Sequence, residues 1–142
     1  MDSKEVITYF ETAEEQLADA ELAFRENRCS LCVFLSASSA ENATSALIIA
    51  IGAKPSKKHR NSLVLNKLLP SLPLKVRLNI KKIIESIKFL EPHIIKARCP
   101  IRIGLELYPP SKFYTKEIAE KAFTNARNIM EMVKRLLRVI GT

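Results

Sequence analysis

Val6, Phe10, Ala13, Leu17, Ala20 and Phe24 recur at steps of four and three, the spacing that lines one face of a helix. Asp2 and Glu5 stand three residues apart at its start, a capping-box spacing with Asp in the usual place of Ser or Thr, so the stripe predicts an amphipathic helix ending near Asn27. Glu11, Glu14, Glu15, Asp19 and Glu21 lie mostly off the stripe and read as its solvated face. From Cys29 to Ile51 the chain is apolar nearly all round, which marks a central helix covered on most sides. A narrow polar seam interrupts it: Ser38, Glu41, Asn42 and Ser45 fall at i, i+3, i+4 and i+7 and share one face. Gly52 is placed to end it in a left-handed cap.

A basic connector, Lys54 to Arg60, leads to a short helix, Ser62 to Leu69, which Pro70 and Pro73 stop. Val76, Ile80, Ile83, Ile87 and Leu90 repeat the four-three spacing in a fourth helix that Pro92 ends or kinks. Thr115 can cap a last helix whose stripe runs through Ile118, Ala122, Asn125, Ile129, Met132, Leu136 and Val139. Between them, up to Phe113, Pro100, Gly104, Pro109 and Pro110 predict a segment of about twenty residues without secondary structure, a length that in a small domain points to function. That loop is the candidate site.

Four main helices and a short one, with mainly short connections, predict an all-α fold, an up-and-down antiparallel bundle. With 142 residues there is room for one core, so residues 1–142 read as a single domain. Asp2, Lys4, Glu5 and Glu11 leave no apolar core for a signal peptide, and no uninterrupted apolar run approaches the roughly 20 residues of a membrane span. Cys29, Cys32 and Cys99, an odd number, suit reduced thiols in a cytoplasm better than a disulfide framework. A cytoplasmic protein without a membrane partner is the expectation.

Charge changes the picture more than composition does. Residues 1–53 carry three basic and nine acidic side chains, a balance of −6, whereas residues 54–142 carry twenty basic and six acidic, a balance of +14. A split this steep favours an anionic partner at one side of the fold. Glu41, on a mostly buried helix, needs a cation, and an arginine from the last loop or last helix is the expected one. The pair Cys29 and Cys32 lacks further ligands for zinc and a preceding strand for redox chemistry, so no metal is expected. His59 and His93 read as surface or capping histidines, and the isolated glycines make no phosphate loop, so no cofactor is expected either.

The first amphipathic helix is followed by the Ala-rich second helix with Glu41 and Gly52, and then by His59 before a Leu-rich short helix. Arg98-Cys99-Pro100 then stands at an Arg-x-Pro loop, and Phe113-Tyr114-Thr115 opens a final helix with Ala122 and Ala126. The order of these features resembles the HEPN family, the higher eukaryote and prokaryote nucleotide-binding domains. The resemblance implies a helical bundle that commonly dimerises, is often paired with a minimal nucleotidyltransferase in a toxin-antitoxin system, and in many members cleaves RNA. The ribonuclease members have an Arg followed by four to six residues and a His. This chain departs from that pattern, with Ile103, Gly104 and Leu105 in those places after Arg98, and Leu107, Tyr108 and Pro109 after Arg102. The proton-transfer group of that mechanism is then missing, and a tyrosine, ordinarily protonated at neutral pH, is a poor replacement.

The expected function is therefore a binding module for RNA or nucleotide. Arg98 and Arg102 would contact phosphate, Lys96 would add positive field, Tyr108 or Tyr114 would stack on a base, and Glu41 would orient an arginine. The competing expectation is a ribonuclease with Arg102 and Tyr108 in place of the usual pair, joined by His59 or His93 from elsewhere in the fold. A helical scaffold charged only for solubility is the third. Phe123, Met130, Val133, Leu137 and Ile140, beside the main stripe of the last helix, give more apolar surface than a lone bundle needs and predict a homodimer.

Overall fold

The computed structural model describes residues 3–141, so the expected cap at Asp2 lies outside the described residues. Six helices follow one another: α1 (Ser3–Arg25), α2 (Cys29–Ile51), α3 (Asn61–Leu68), α4 (Leu74–Leu90), α5 (His93–Lys96) and α6 (Lys116–Gly141). The helices before α5 lie within one or two residues of the sequence expectation, because period and stop signals agree there. Gly52 ends α2 at φ 102°, and its N–H donates to the Ile49 carbonyl. Thr115 caps α6, its hydroxyl accepting from the Ile118 N–H at 3.2 Å.

Packing is organised around α2, which lies along α1 and α6 and also meets α3, α4 and α5. Small residues make this possible: Ala13 and Ala20 on α1 and Ala37, Ala40 and Ala43 on α2 are fully buried. At the same seam Ser39 Oγ donates to the Ala13 carbonyl at 2.8 Å, and Asn42 Nδ2 donates to Gln16 Oε1 at 2.8 Å. Polar groups inside the bundle are thereby paired rather than stranded. By length and composition α2 is apolar enough to cross a bilayer, contrary to the reading from uninterrupted runs, since serines and threonines interrupt the run without lowering its mean hydropathy far. Two thirds of that span is buried by its neighbours, as in the central helix of a bundle.

Two expectations need correction. The buried face of α6 is Ala119, Ala122, Ala126, Ile129, Met130, Val133 and Leu136, while Asn125 and Met132 are only partly covered and Val139 is 46% exposed. On a broadly apolar helix two stripes one residue apart both satisfy the four-three spacing, and the alanines that fit against α2 carry a weak hydropathy signal. Met130 and Val133, assigned to a dimer face, thus serve the core.

The second correction concerns the long loop. It contains α5 and an antiparallel hairpin, β1 (Ile101–Ile103) and β2 (Glu106–Tyr108), in which Ile101 faces Tyr108, Arg102 faces Leu107 and Ile103 faces Glu106. Gly104 opens the two-residue turn at φ 63°, a left-handed conformation that glycine takes without steric cost. Three-residue strands are too short to show an alternating pattern, and Pro100 and Pro109 at their flanks mask them further. A 3-10 turn at Pro110–Lys112 then returns the chain to α6.

Candidate nucleic-acid interface

Lys96 ends α5, Arg98 follows it, and Arg102 sits in the middle of β1, so a short stretch of chain carries three exposed cations. None of them takes part in the three ion pairs found among the described residues, which are Arg25 with Glu21, His59 with Glu41 and Arg135 with Glu131. The Arg98 guanidinium lies 5.7 Å from the centre of the Phe34 ring on α2, within cation–π range, while the residue as a whole is exposed. Tyr108, at the end of β2, donates its hydroxyl to Glu106 Oε2 at 2.9 Å, two residues back on the same face of the strand.

Tyr114 is not a surface ring. It is 4% exposed, meets Phe113 and His93 edge-on, and its hydroxyl lies 2.8 Å from His93 Nδ1. Burial pushes its phenol up to about 12 and, with a further contribution from Lys96, lowers the pKa of the His93 imidazole. A base cannot stack on a ring already covered on its faces and edges, so the role expected for Tyr114 is structural instead. The segment before α6 must fold back onto His93 of α5 to put it there, which local pattern does not disclose.

Glu41 has a different partner from the one expected. Its Oε1 lies 2.7 Å from His59 Nδ1, and among the described residues no arginine pairs with it. The connector turns back onto α2 because His59 adopts φ 60°, a left-handed conformation uncommon for a side chain of this size. Asn61 fixes the turn from behind. Only 1% exposed, it donates from Nδ2 to the Glu41 carbonyl (3.1 Å), Thr44 Oγ1 (2.9 Å) and Ser45 Oγ (3.0 Å), and accepts from the Ser56 N–H (2.9 Å). Sequence reasoning missed the pairing of His59 with Glu41, since eighteen residues separate them and no local spacing rule joins them. The one available signal was a carboxylate on the seam of an otherwise apolar helix.

Beside this pair lies a hollow of about 410 Å³ lined by Lys58, His59, Arg60, Lys88 and Glu91, among others. Glu91 is already engaged: its carboxylate accepts from the Ser62 N–H at 2.9 Å and the Ser62 hydroxyl at 2.6 Å, capping α3 from another helix. The remaining charge in the hollow is positive. Phe34 and Glu41 are seven residues apart on α2, hence on one face and about 10 Å apart along the axis. Arg98 above Phe34 and His59 beside Glu41 therefore stand along one line of the molecule. A second, larger hollow of about 840 Å³, lined by Phe89, His93, Phe113 and Lys121 among others, includes none of the residues singled out as ligand contacts. Among the described residues no three His, Cys, Asp or Glu side chains gather as a metal site.

Residues 7–136 match the HEPN domain family. A protein of Methanocaldococcus jannaschii named "Putative toxin MJ1304" is 29% identical over 132 residues, which cover 92% of this chain and 86% of that protein. The crystal structure of TT1696 from Thermus thermophilus superposes with a TM-score of 0.72 at 25% identity, over 92% of this chain and 97% of that one. With the match spanning nearly all of the bundle, from α1 to the last turns of α6, the chain belongs to the HEPN domain family.

Proposed function

We propose that this HEPN domain is a toxin-type module that holds RNA or nucleotide phosphates on its basic side. The observation that carries the reading is the run of exposed cations Lys96, Arg98 and Arg102, unengaged by carboxylates among the described residues and continued by Lys58, Arg60 and Lys88 around the hollow. Phosphate is the ligand such a row suits, because guanidinium groups give it charge-assisted, paired hydrogen bonds. The similarity to a protein named as a toxin supports the class. As a toxin-type module it would be held in check by a minimal nucleotidyltransferase and would act as a homodimer.

The experiment is a salt titration of single-stranded RNA affinity. Affinity falls steeply with salt in the wild type, and the double variant Arg98→Ala, Arg102→Ala has a shallower slope, by about 0.7 for each phosphate contact removed. An unchanged slope would remove these arginines from the interface. Co-elution of the protein with a nucleotidyltransferase encoded beside it tests the partner.

A further inference from the structure

We propose that the large hollow bordered by α4, α5 and α6 is a guanine pocket, in which Glu117 or Glu120 reads the pairing edge of the base, Lys121 its carbonyl and Phe113 its face. The proposal rests on the reading that the basic side holds RNA or nucleotide phosphates, and it names the base that goes with them.

The walls carry two carboxylates that nothing in the fold neutralises. The hollow, about 840 Å³, has the size of a small-molecule site and is lined by the rings of Phe89, His93 and Phe113 and by Glu117, Glu120 and Lys121, among others. Glu117, Glu120 and Lys121 fall at i, i+3 and i+4 and so share one face of α6. Each glutamate has a lysine four residues away, the spacing of a helical ion pair, yet neither pair forms among the described residues. Lys121 instead sets its Nζ 4.4 Å from the centre of the Phe89 ring, and Lys116 donates to the Phe24 carbonyl and Asn27 Oδ1. Both carboxylates stand exposed, in the half of the chain where positive charge dominates.

A phosphate is repelled by such a pair, and the ligand it suits is a flat ring with hydrogen-bond donors at its edge. Of the RNA bases, guanine alone has adjacent donors on the pairing edge, N1–H and the 2-amino group, which match the two oxygens of one carboxylate. Adenine and cytosine set a bare ring nitrogen beside their amino group, and uracil flanks its N–H with carbonyl oxygens, so each turns a lone pair towards the carboxylate. Guanine O6 and N7 accept from a lysine, which Lys121 supplies from the same face of α6. For stacking, the Phe113 ring is available: the residue is 38% exposed, and Tyr114 holds it by a perpendicular contact at 5.0 Å. His93 joins the hollow to the basic row, since it opens α5 and Lys96 closes it, near enough for the lysine charge to act on the imidazole. A nucleotide with its base in the hollow can therefore set its phosphate against Lys96.

The test measures affinity for short oligouridines carrying one central guanine, adenine, cytosine or inosine, the last lacking the 2-amino group, with free GMP as competitor. A central guanine is expected to tighten binding on the order of tenfold over uridine alone, and inosine to lose most of that gain. GMP that displaces the guanine oligomer at equal concentration would assign the pocket to free nucleotides, and GMP that competes weakly would assign it to RNA. Glu117→Gln combined with Glu120→Gln is expected to bring the ratio of guanine to uridine affinity close to one with the thermal midpoint unchanged, both side chains being exposed. Phe113→Leu is expected to lower that ratio as well. An all-uridine oligomer bound as tightly as the guanine oligomer would overturn the pocket and leave the basic row standing, and so would a guanine preference that survives the double variant. A protein that binds neither the oligomers nor GMP would overturn both readings.

Discussion

At the scale of single residues, stability rests on Asn61 more than on Glu41, the residue that the sequence singles out. Glu41 faces a half-open histidine, so Glu41→Ala costs about 1 kcal/mol or less, the usual size for a partly exposed pair. Asn61 is buried and offers two hydrogens to three acceptors while taking one from the Ser56 amide, so Asn61→Ala strands several groups and costs on the order of 3 kcal/mol. Urea titration of the two variants checks the order, and a larger loss for Glu41→Ala would contradict it. The pair His93 and Tyr114 predicts a pH dependence of stability on both sides of neutrality. His93 has a lowered pKa in the fold, so below its ordinary value of 6.5 the unfolded chain binds the proton more readily and stability falls with pH. Tyr114, at about 12 in the fold against an ordinary 10.0, keeps its proton while the unfolded chain loses it, so stability falls again as pH rises from 10 towards 12. Denaturation midpoints across pH should show this, and Tyr114→Phe should remove the alkaline fall that Tyr114 contributes.

At the scale of elements, legibility followed period. The stripes of α1 and α4 place Val6, Ala13, Ala20, Val76, Ile80, Ile83, Ile87 and Leu90 in the core as expected, since each helix offers a single apolar stripe. α6 admitted two, and the choice between them belongs to the alanine contacts with α2 rather than to its own sequence. The hairpin offered no period at all. It is largely exposed, with Leu105 97% open and Ile103 and Leu107 more than half open, and of its apolar strand residues Ile101 packs against the core, so it contributes little to the bundle. Gly104→Val, which forces a β-branched residue into a left-handed turn, is therefore expected to release the β1 and β2 amides to rapid hydrogen exchange while the thermal midpoint of the bundle stays within a few degrees. RNA affinity should fall with it, because Arg102 loses its fixed position. The candidate site was half legible for the same reason: Lys96, Arg98 and Arg102 are close in sequence, whereas His59 and Glu41 meet only in three dimensions.

At the scale of the whole molecule, α1 and α6 together leave an apolar groove between charged banks. Between α1 and α6 a hollow of about 350 Å³ exposes parts of Phe10, Leu17 and Phe123, with Glu14 and Glu21 on the α1 bank and Arg127, Lys134 and Glu131 on the α6 bank, Glu131 being paired with Arg135. A two-fold axis through it would set Glu14 and Glu21 of one copy near Arg127 and Lys134 of the other, and this is where a homodimer contact is expected. Light scattering is expected to give twice the chain mass for wild type and a monomer for Phe123→Glu. A monomeric wild type at micromolar concentration would remove the dimer.

The dependence of the Glu41 and His59 pair on the rest of the bundle has a consequence for the order of biosynthesis. Glu41, His59 and Asn61 leave the ribosome before α6, yet the helix that carries Glu41 is covered on one side by α6. Without α6, the apolar side of α2 has nothing to pack against, and the turn that orients His59 has no rigid floor. The turn and the hollow beside it would thus stay incomplete until α6 had docked.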